Sequence, residues 1–282
     1  MPHKAHSQLP TVWFDAWLEA NRTQNTPYGT TFHTEKDRPA EAADLLAEIL
    51  YRSKTTGNRL QRLLQRVNWI SSSARLDIPN TVQNQLGDFG EVVAIGVLEV
   101  FKGLYVPVVK LRYQMDKDQS LHGTDIVGFE FDEDDNLVSL HFCEVKTATS
   151  TKSNARAAVG AAHQQLADDR ALHFTDTLEF LAERLDDVNP SVAEAFEEFL
   201  ASREDGMDGS YRILLLTDPS IYDPTVIERI PEPPDLQEPL ELDIVHVAEL
   251  RALIEETWPI VAQRVAADPA KRLPLSGATD AD

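Results

Sequence analysis

The chain of 282 residues carries 47 Asp and Glu against 26 Lys and Arg, a formal net charge of −21, with 42% hydrophobic residues and one cysteine. This is an ordinary globular composition, long enough to bury one large core or two modest ones, and it excludes a disulfide framework and a cysteine-based zinc site. No apolar run reaches a membrane span, no apolar signal segment follows Met1, and neither a His-Glu-x-x-His nor a Gly-x-x-x-x-Gly-Lys pattern occurs, so a cytoplasmic protein is expected.

The charge is unevenly spread. Residues 1–112 hold 13 Lys and Arg against 11 Asp and Glu, whereas residues 113–282 hold 13 against 36. Within 49–76 lie Arg52, Lys54, Arg59, Arg62, Arg66 and Arg75 and no acid. A one-sign block of this kind makes an electrostatic footprint for phosphates even on an acidic protein, and Arg59, Arg62 and Arg66 are its expected nucleic-acid contacts. A solvated helix face has the same composition. The acidic remainder should repel free nucleic acid and suits a basic partner protein.

In chain order, Val12, Trp13, Phe14, Trp17 and Leu18 predict a short strand or turn leading into a helix, and 21–38 reads as polar and irregular. Pro39 ahead of Ala40, Ala42, Ala43, Leu45, Leu46, Ile49 and Leu50 predicts a helix with proline in its first turn. Leu60, Leu63, Leu64 and Val67 continue a helical period with arginines opposite, followed by a polar connection over 71–85. Residues 1–80 are therefore expected to form a mainly helical N-terminal region.

A second unit is expected over 81–268, opening on an apolar helix at about 88–102. Strand candidates follow at 104–111, 123–131 and 137–147, the last two joined by the polar turn Asp132–Asn136. In the third, Leu140, Phe142, Glu144 and Lys146 share one face. An alanine-rich helix is expected over 153–172 and acidic amphipathic helices over 176–187 and 191–203. A buried strand at 212–217 comes next, then a proline-rich linker at 218–240, a strand at 241–247 and a helix at 248–267. The tail over 269–282 is expected to be disordered. This order fits one α/β sheet with helices on both faces.

The chemistry concentrates in Glu144-Val145-Lys146, nineteen residues beyond Asp125. An acid and a lysine two apart on a strand point the same way, and an acid on a neighbouring strand can converge with them. Two carboxylates suit Mg²⁺, and an adjacent ammonium suits a water or a charged phosphate. By itself Glu-x-Lys is common and often decorates a solvated face. Asp125 is harder to dismiss, because an unpaired charge among Ile126, Val127 and Phe129 is costly, although a salt bridge to Lys146 would also satisfy it.

Glu91 in Gly87-Asp-Phe-Gly-Glu91, Asp125 in His122-Gly-Thr-Asp-Ile-Val-Gly128 and Glu144-Val-Lys146 in Phe142-Cys-Glu-Val-Lys-Thr147 come on a helix and two strands in that order. This arrangement resembles the PD-(D/E)xK nuclease superfamily and, more narrowly, the nuclease subunit of Hachiman-type antiphage defence systems. The resemblance covers about residues 86–247 and implies a restriction-endonuclease-like core with a central mixed sheet flanked by helices. It implies Mg²⁺, with Mn²⁺ substituting, held by Asp125, Glu144 and the Val145 carbonyl. Glu91 would hold metal-bound water or help bind a second metal, and Lys146 would orient the attacking water or stabilise charge on the transition state. The implied function is DNA hydrolysis by the effector subunit of a defence complex, with a helicase partner.

Lys152, Arg156 and Gln164, on the helix after Lys146, are further expected contacts to nucleic acid, with Gln165 the alternative to Gln164. Other readings stand beside these. Asp88 and Glu91 also fit a helix capping box, with Asp88 as N-cap. The chain could be a catalytically inactive nuclease-fold module for binding or assembly. Carboxylates of Asp125 and Glu144 more than about 8 Å apart would mark the motifs as accidental.

Overall fold

A computed structural model describes residues 9–23, 29–55, 78–113, 123–202, 209–228 and 240–267. One six-stranded mixed sheet organises them, in the spatial order β1 (Leu18–Thr23), β2 (Gly29–Glu35), β6 (Leu240–His246), β5 (Ser210–Thr217), β4 (Leu137–Ala148), β3 (Ile126–Phe131). The central pairs β2–β6, β6–β5 and β5–β4 are parallel, and an antiparallel hairpin arm closes each side. The α/β class and the mixed sheet flanked by helices are as expected from the sequence.

Strand alternation sorts the side chains into two cores. Cys143, Val145, Leu214, Leu216 and Val245 pack against α1 (Phe14–Trp17), α2 (Ala42–Thr55), α3 (Val82–Phe101) and α8 (Leu250–Ala267). Phe142, Ile213, Leu215, Leu242 and Ile244 face the opposite layer, formed by α4 (Lys152–Asp168), α5 (Phe174–Val188) and α6 (Pro190–Ala201). A π-helical turn, Asp169–His173, joins α4 to α5, and a short α7 (Thr225–Glu228) follows β5.

Several local expectations change. Within the stretch 21–38, residues 21–23 end β1 and residues 29–35 form β2, which pair antiparallel, so two strands of the sheet come from before residue 80, while residues 24–28 lie outside the described residues. The buried residues of β2 include Thr30, Thr31 and His33, whose polarity hides the strand from a hydrophobic-pattern reading. Residues 104–111 are not a strand. Their backbone pairs with the sheet at a Tyr105–Phe129 bridge, before a 3₁₀ turn at Lys110–Tyr113. Helix α3 starts six residues earlier than expected, capped by the Thr81 hydroxyl, which accepts from the Asn84 N–H at 3.2 Å. Asp88 is thus inside the helix and is not an N-cap. Arg59, Arg62, Arg66, His122 and the tail from 269 lie outside the described residues.

Candidate active site

The site arises where β4 outruns its neighbour. Pairing between β3 and β4 ends at Ile126–Cys143, while β4 continues to Ala148. Asp125 occupies the bend at the foot of β3, and its Oδ2 accepts the Val145 N–H at 2.9 Å, capping the edge that β3 leaves open. In a strand the N–H and C=O of one residue point to the same neighbour, so the Val145 carbonyl is directed to that edge as well. Helix α3 covers one face of this opening and α4 the other. Between them is a cleft of about 580 Å³ whose lining includes Glu91, Asp125, Glu144, Lys146 and Gln165.

At its floor Glu144 is fully buried, and its Oε1 accepts the Lys146 ammonium at 2.6 Å. The Asp125 and Glu144 carboxyl groups lie close enough to interact directly, and Glu144 Oε2 receives no donor. Burial, reinforced by the negative Asp125, pushes the Glu144 carboxyl up to about 9, against the pull of Lys146. For Lys146, burial works to lower the pKa, but Glu144, Asp125 and Asp169 outweigh it and raise the ammonium above its ordinary range. Gln165 on α4 accepts a second hydrogen bond from Lys146 at 3.1 Å, so the ammonium is held from strand and helix together.

Glu91 enters from the α3 side of the cleft. Burial, then repulsion from Asp125 and Asp88, holds its carboxyl well above the usual range, opposed by Lys110 and Lys54. Asp88, one turn earlier, makes a buried ion pair with Lys54 at 2.6 Å. The close approach of α3 to β4 depends on Gly90, where a Cβ would overlap the Thr147 hydroxyl and press on Val145. Lys110 belongs to no motif, and Lys54, which the sequence places in the basic block 49–76, is buried against Asp88 and so does not present its charge to phosphates.

The structure therefore gathers Glu91, Asp125, Glu144, Val145 and Lys146 around one cleft. It places Lys152, Arg156 and Gln164 outside the cleft lining. Arg156 pairs with Asp223 at 3.1 Å, and Gln164 turns outward to Asp168 at 2.9 Å. Gln165, one residue on, takes the inward position. His163 is buried on α4, and that burial lowers its pKa.

The HamA family model matches residues 11–232, most of the chain and all of these cleft residues. The chain belongs to the HamA family. That family is Hachiman-associated, which makes this HamA protein a component of a Hachiman antiphage defence system. No curated protein matches the chain. Strand β6 and helix α8 lie beyond the matched span, although β6 is central to the sheet of this HamA chain.

The donor set of the HamA cleft suits a hard divalent cation. It offers two facing carboxyl groups, one with a buried oxygen that has no donor, beside a carbonyl directed to the same edge. Among the described residues, no group of three or more His, Cys, Asp or Glu is set to hold a metal ion. The fit thus rests on Asp125 and Glu144 with backbone oxygen, while Glu91 lines the same cleft from α3. No helix among the described residues is long and apolar enough to cross a membrane.

Proposed function

We propose that this HamA protein is a Mg²⁺-dependent DNA nuclease, the effector subunit of its defence complex, working with a helicase partner. The observation that carries this reading is the buried Glu144, with its Oε2 unpartnered, beside Asp125 and the Lys146 ammonium on the floor of the cleft. A buried Glu144 beside a second acid, with one ammonium against it, is costly, and such arrangements are kept where chemistry needs them. Asp125, Glu144 and the Val145 carbonyl are the residues that would hold Mg²⁺, or Mn²⁺ in its place. Such an ion would supply Lewis-acid polarisation of a phosphate oxygen and would lower the pKa of a water it binds.

The rest is done by side chains of the chain itself. Lys146, clamped between Glu144 and Gln165, presents its remaining donor capacity to the cleft, where it orients an attacking water or offsets charge developing on the phosphate. Glu91, with its raised pKa, is a hydrogen-bonding partner for water on the opposite wall. Asn84, Gln83, Asn154 and Ser150 add neutral donors and acceptors along the walls, suited to phosphate and sugar contacts.

The test is DNA cleavage by the purified chain, alone and with a helicase encoded beside it, in Mg²⁺, in Mn²⁺ and in EDTA. Cleavage should require the metal, and Lys146→Ala should reduce it at least about 100-fold without unfolding the protein. Retained cleavage in a folded Lys146→Ala variant would remove the site assignment.

The second reading is a non-cleaving nuclease-fold module for assembly. The closed Glu144–Lys146 pair is the observation in its favour, since the pair can be purely structural. It expects no metal dependence, and an Asp125→Asn variant that still protects cells from phage.

A further inference from the structure

Asp125 reaches the site on a turn. Gly123 has φ +82°, Thr124 is buried, and β3 begins only at Ile126. The left-handed conformation at Gly123 suits a residue without Cβ, and a Cβ there would also press on the Thr177 hydroxyl of α5. The carbonyls of Gly123 and Thr124 converge on one group: Lys110 Nζ donates to them at 2.9 and 2.8 Å. Lys110 is itself registered against the same strand. The segment before it exchanges two backbone hydrogen bonds between Tyr105 and Phe129, at 2.9 and 2.8 Å, before the 3₁₀ turn begins.

We propose that Lys110 is a positioning residue for the acidic site: its ammonium clamps the Gly123–Thr124 turn and so fixes the Asp125 carboxylate against Val145. An ammonium has three donors, and a charge-assisted bond is roughly twice as strong as a neutral one. Two such bonds to consecutive carbonyls determine the path of the chain into Asp125. Removing them frees the turn to pivot about Gly123, where the backbone has most freedom. Asp125 then loses its hold on the Val145 N–H, and the facing arrangement with Glu144 loosens. The consequence for catalysis rests on the nuclease reading, whereas the positioning itself rests only on the geometry.

The experiment uses the full chain with Lys110→Met and Lys110→Arg, with Lys110→Gln in reserve should the Met variant not fold. Amide hydrogen exchange and calorimetric Mn²⁺ binding are measured alongside melting temperature and DNA cleavage. In a folded Lys110→Met protein, exchange should rise selectively at Thr124, Asp125 and Val145. Mn²⁺ binding should weaken about 10- to 100-fold, as when other outer-layer partners of metal ligands are lost. Lys110→Arg, which keeps charge and donors, should recover part of both. Unchanged exchange at Asp125 and Val145 overturns the proposal, and so does a uniform rise across the sheet, which would mark a general stability role. Should wild-type protein neither bind Mn²⁺ nor cleave DNA, the nuclease reading fails, and the exchange arm alone then decides the role of Lys110.

Discussion

Glu144 is fully buried with one oxygen on Lys146 and the other without a donor. A carboxyl whose folded pKa lies near 9, above its ordinary value, makes the fold less stable as pH rises from the ordinary carboxylate range toward that value. Glu144→Gln removes that penalty and keeps an acceptor for Lys146. In metal-free buffer at pH 7 it should therefore stabilise the protein, by on the order of 1–3 kcal/mol, while abolishing cleavage. Added Mg²⁺ should raise the wild-type melting temperature and leave that of the Gln variant unmoved. A lower melting temperature for Glu144→Gln would mean that the ion pair with Lys146 outweighs the cost of the buried acid.

At the scale of elements, one wall of the cleft is set by the close approach of α3 to β4 at Gly90. Gly90 sets the contact and Gly87, one turn earlier, does not, since a Cβ at Gly87 meets nothing within 4 Å. Gly90→Ala should thus push α3 off Thr147 and Val145, costing about 1–3 kcal/mol and displacing Glu91. Gly87→Ala should be neutral or stabilise the helix by about 0.5–1 kcal/mol. Urea unfolding of the two variants separates these outcomes, and equal losses would refute the close-packing account. Helix α4 divides its roles by face in the same way: Gln165 turns in to Lys146, while Gln164 turns out to Asp168. Sequence alone supports either glutamine, because two adjacent residues on a helix differ only in which face the neighbouring strand covers.

Across the whole molecule, a polar network crosses five strands near the starts of β5 and β6. Glu130 on β3 meets His141 on β4 at 2.8 Å, and the His141 ring meets Arg212 on β5 at 3.3 Å. Arg212 pairs with Glu241 and Asp243 on β6, and Asp243 meets His33 on β2 and Lys102 after α3, both at 2.9 Å. Burial would raise the Asp243 pKa, but the His33 hydrogen bond and the charges of Lys102 and Arg212 win and hold it below the ordinary range. The unfolded chain therefore takes up the proton first. The contribution of the network is complete above about pH 4 and is lost as pH falls through the lower folded value. Asp243→Asn should cost about 3–5 kcal/mol at neutral pH by leaving buried cations unpaired, and it should flatten the acid limb of stability below pH 4. Denaturant titrations between pH 2.5 and 7 test both statements, and an unchanged acid limb in the variant would count against them.

Much of this architecture is legible in the sequence by itself. The turn Asp132–Asn136, the alternation in β4 and the helical periods of α4, α5 and α6 are local patterns, and local patterns survive in a string of letters. The order of Glu91, Asp125 and Glu144-Val145-Lys146 was likewise readable, because motif chemistry depends on residue type and element order. What only the tertiary structure decided involves polar residues satisfied at long range. The β1–β2 hairpin looked irregular because Thr31 and His33 are buried against Lys102 and Asp243, partners that no local pattern announces. Asp88 looked like a cap until Lys54 was brought against it. Lys110 carried no signal at all, since its partners are backbone carbonyls, present at every residue and distinguished only by the fold that aims them.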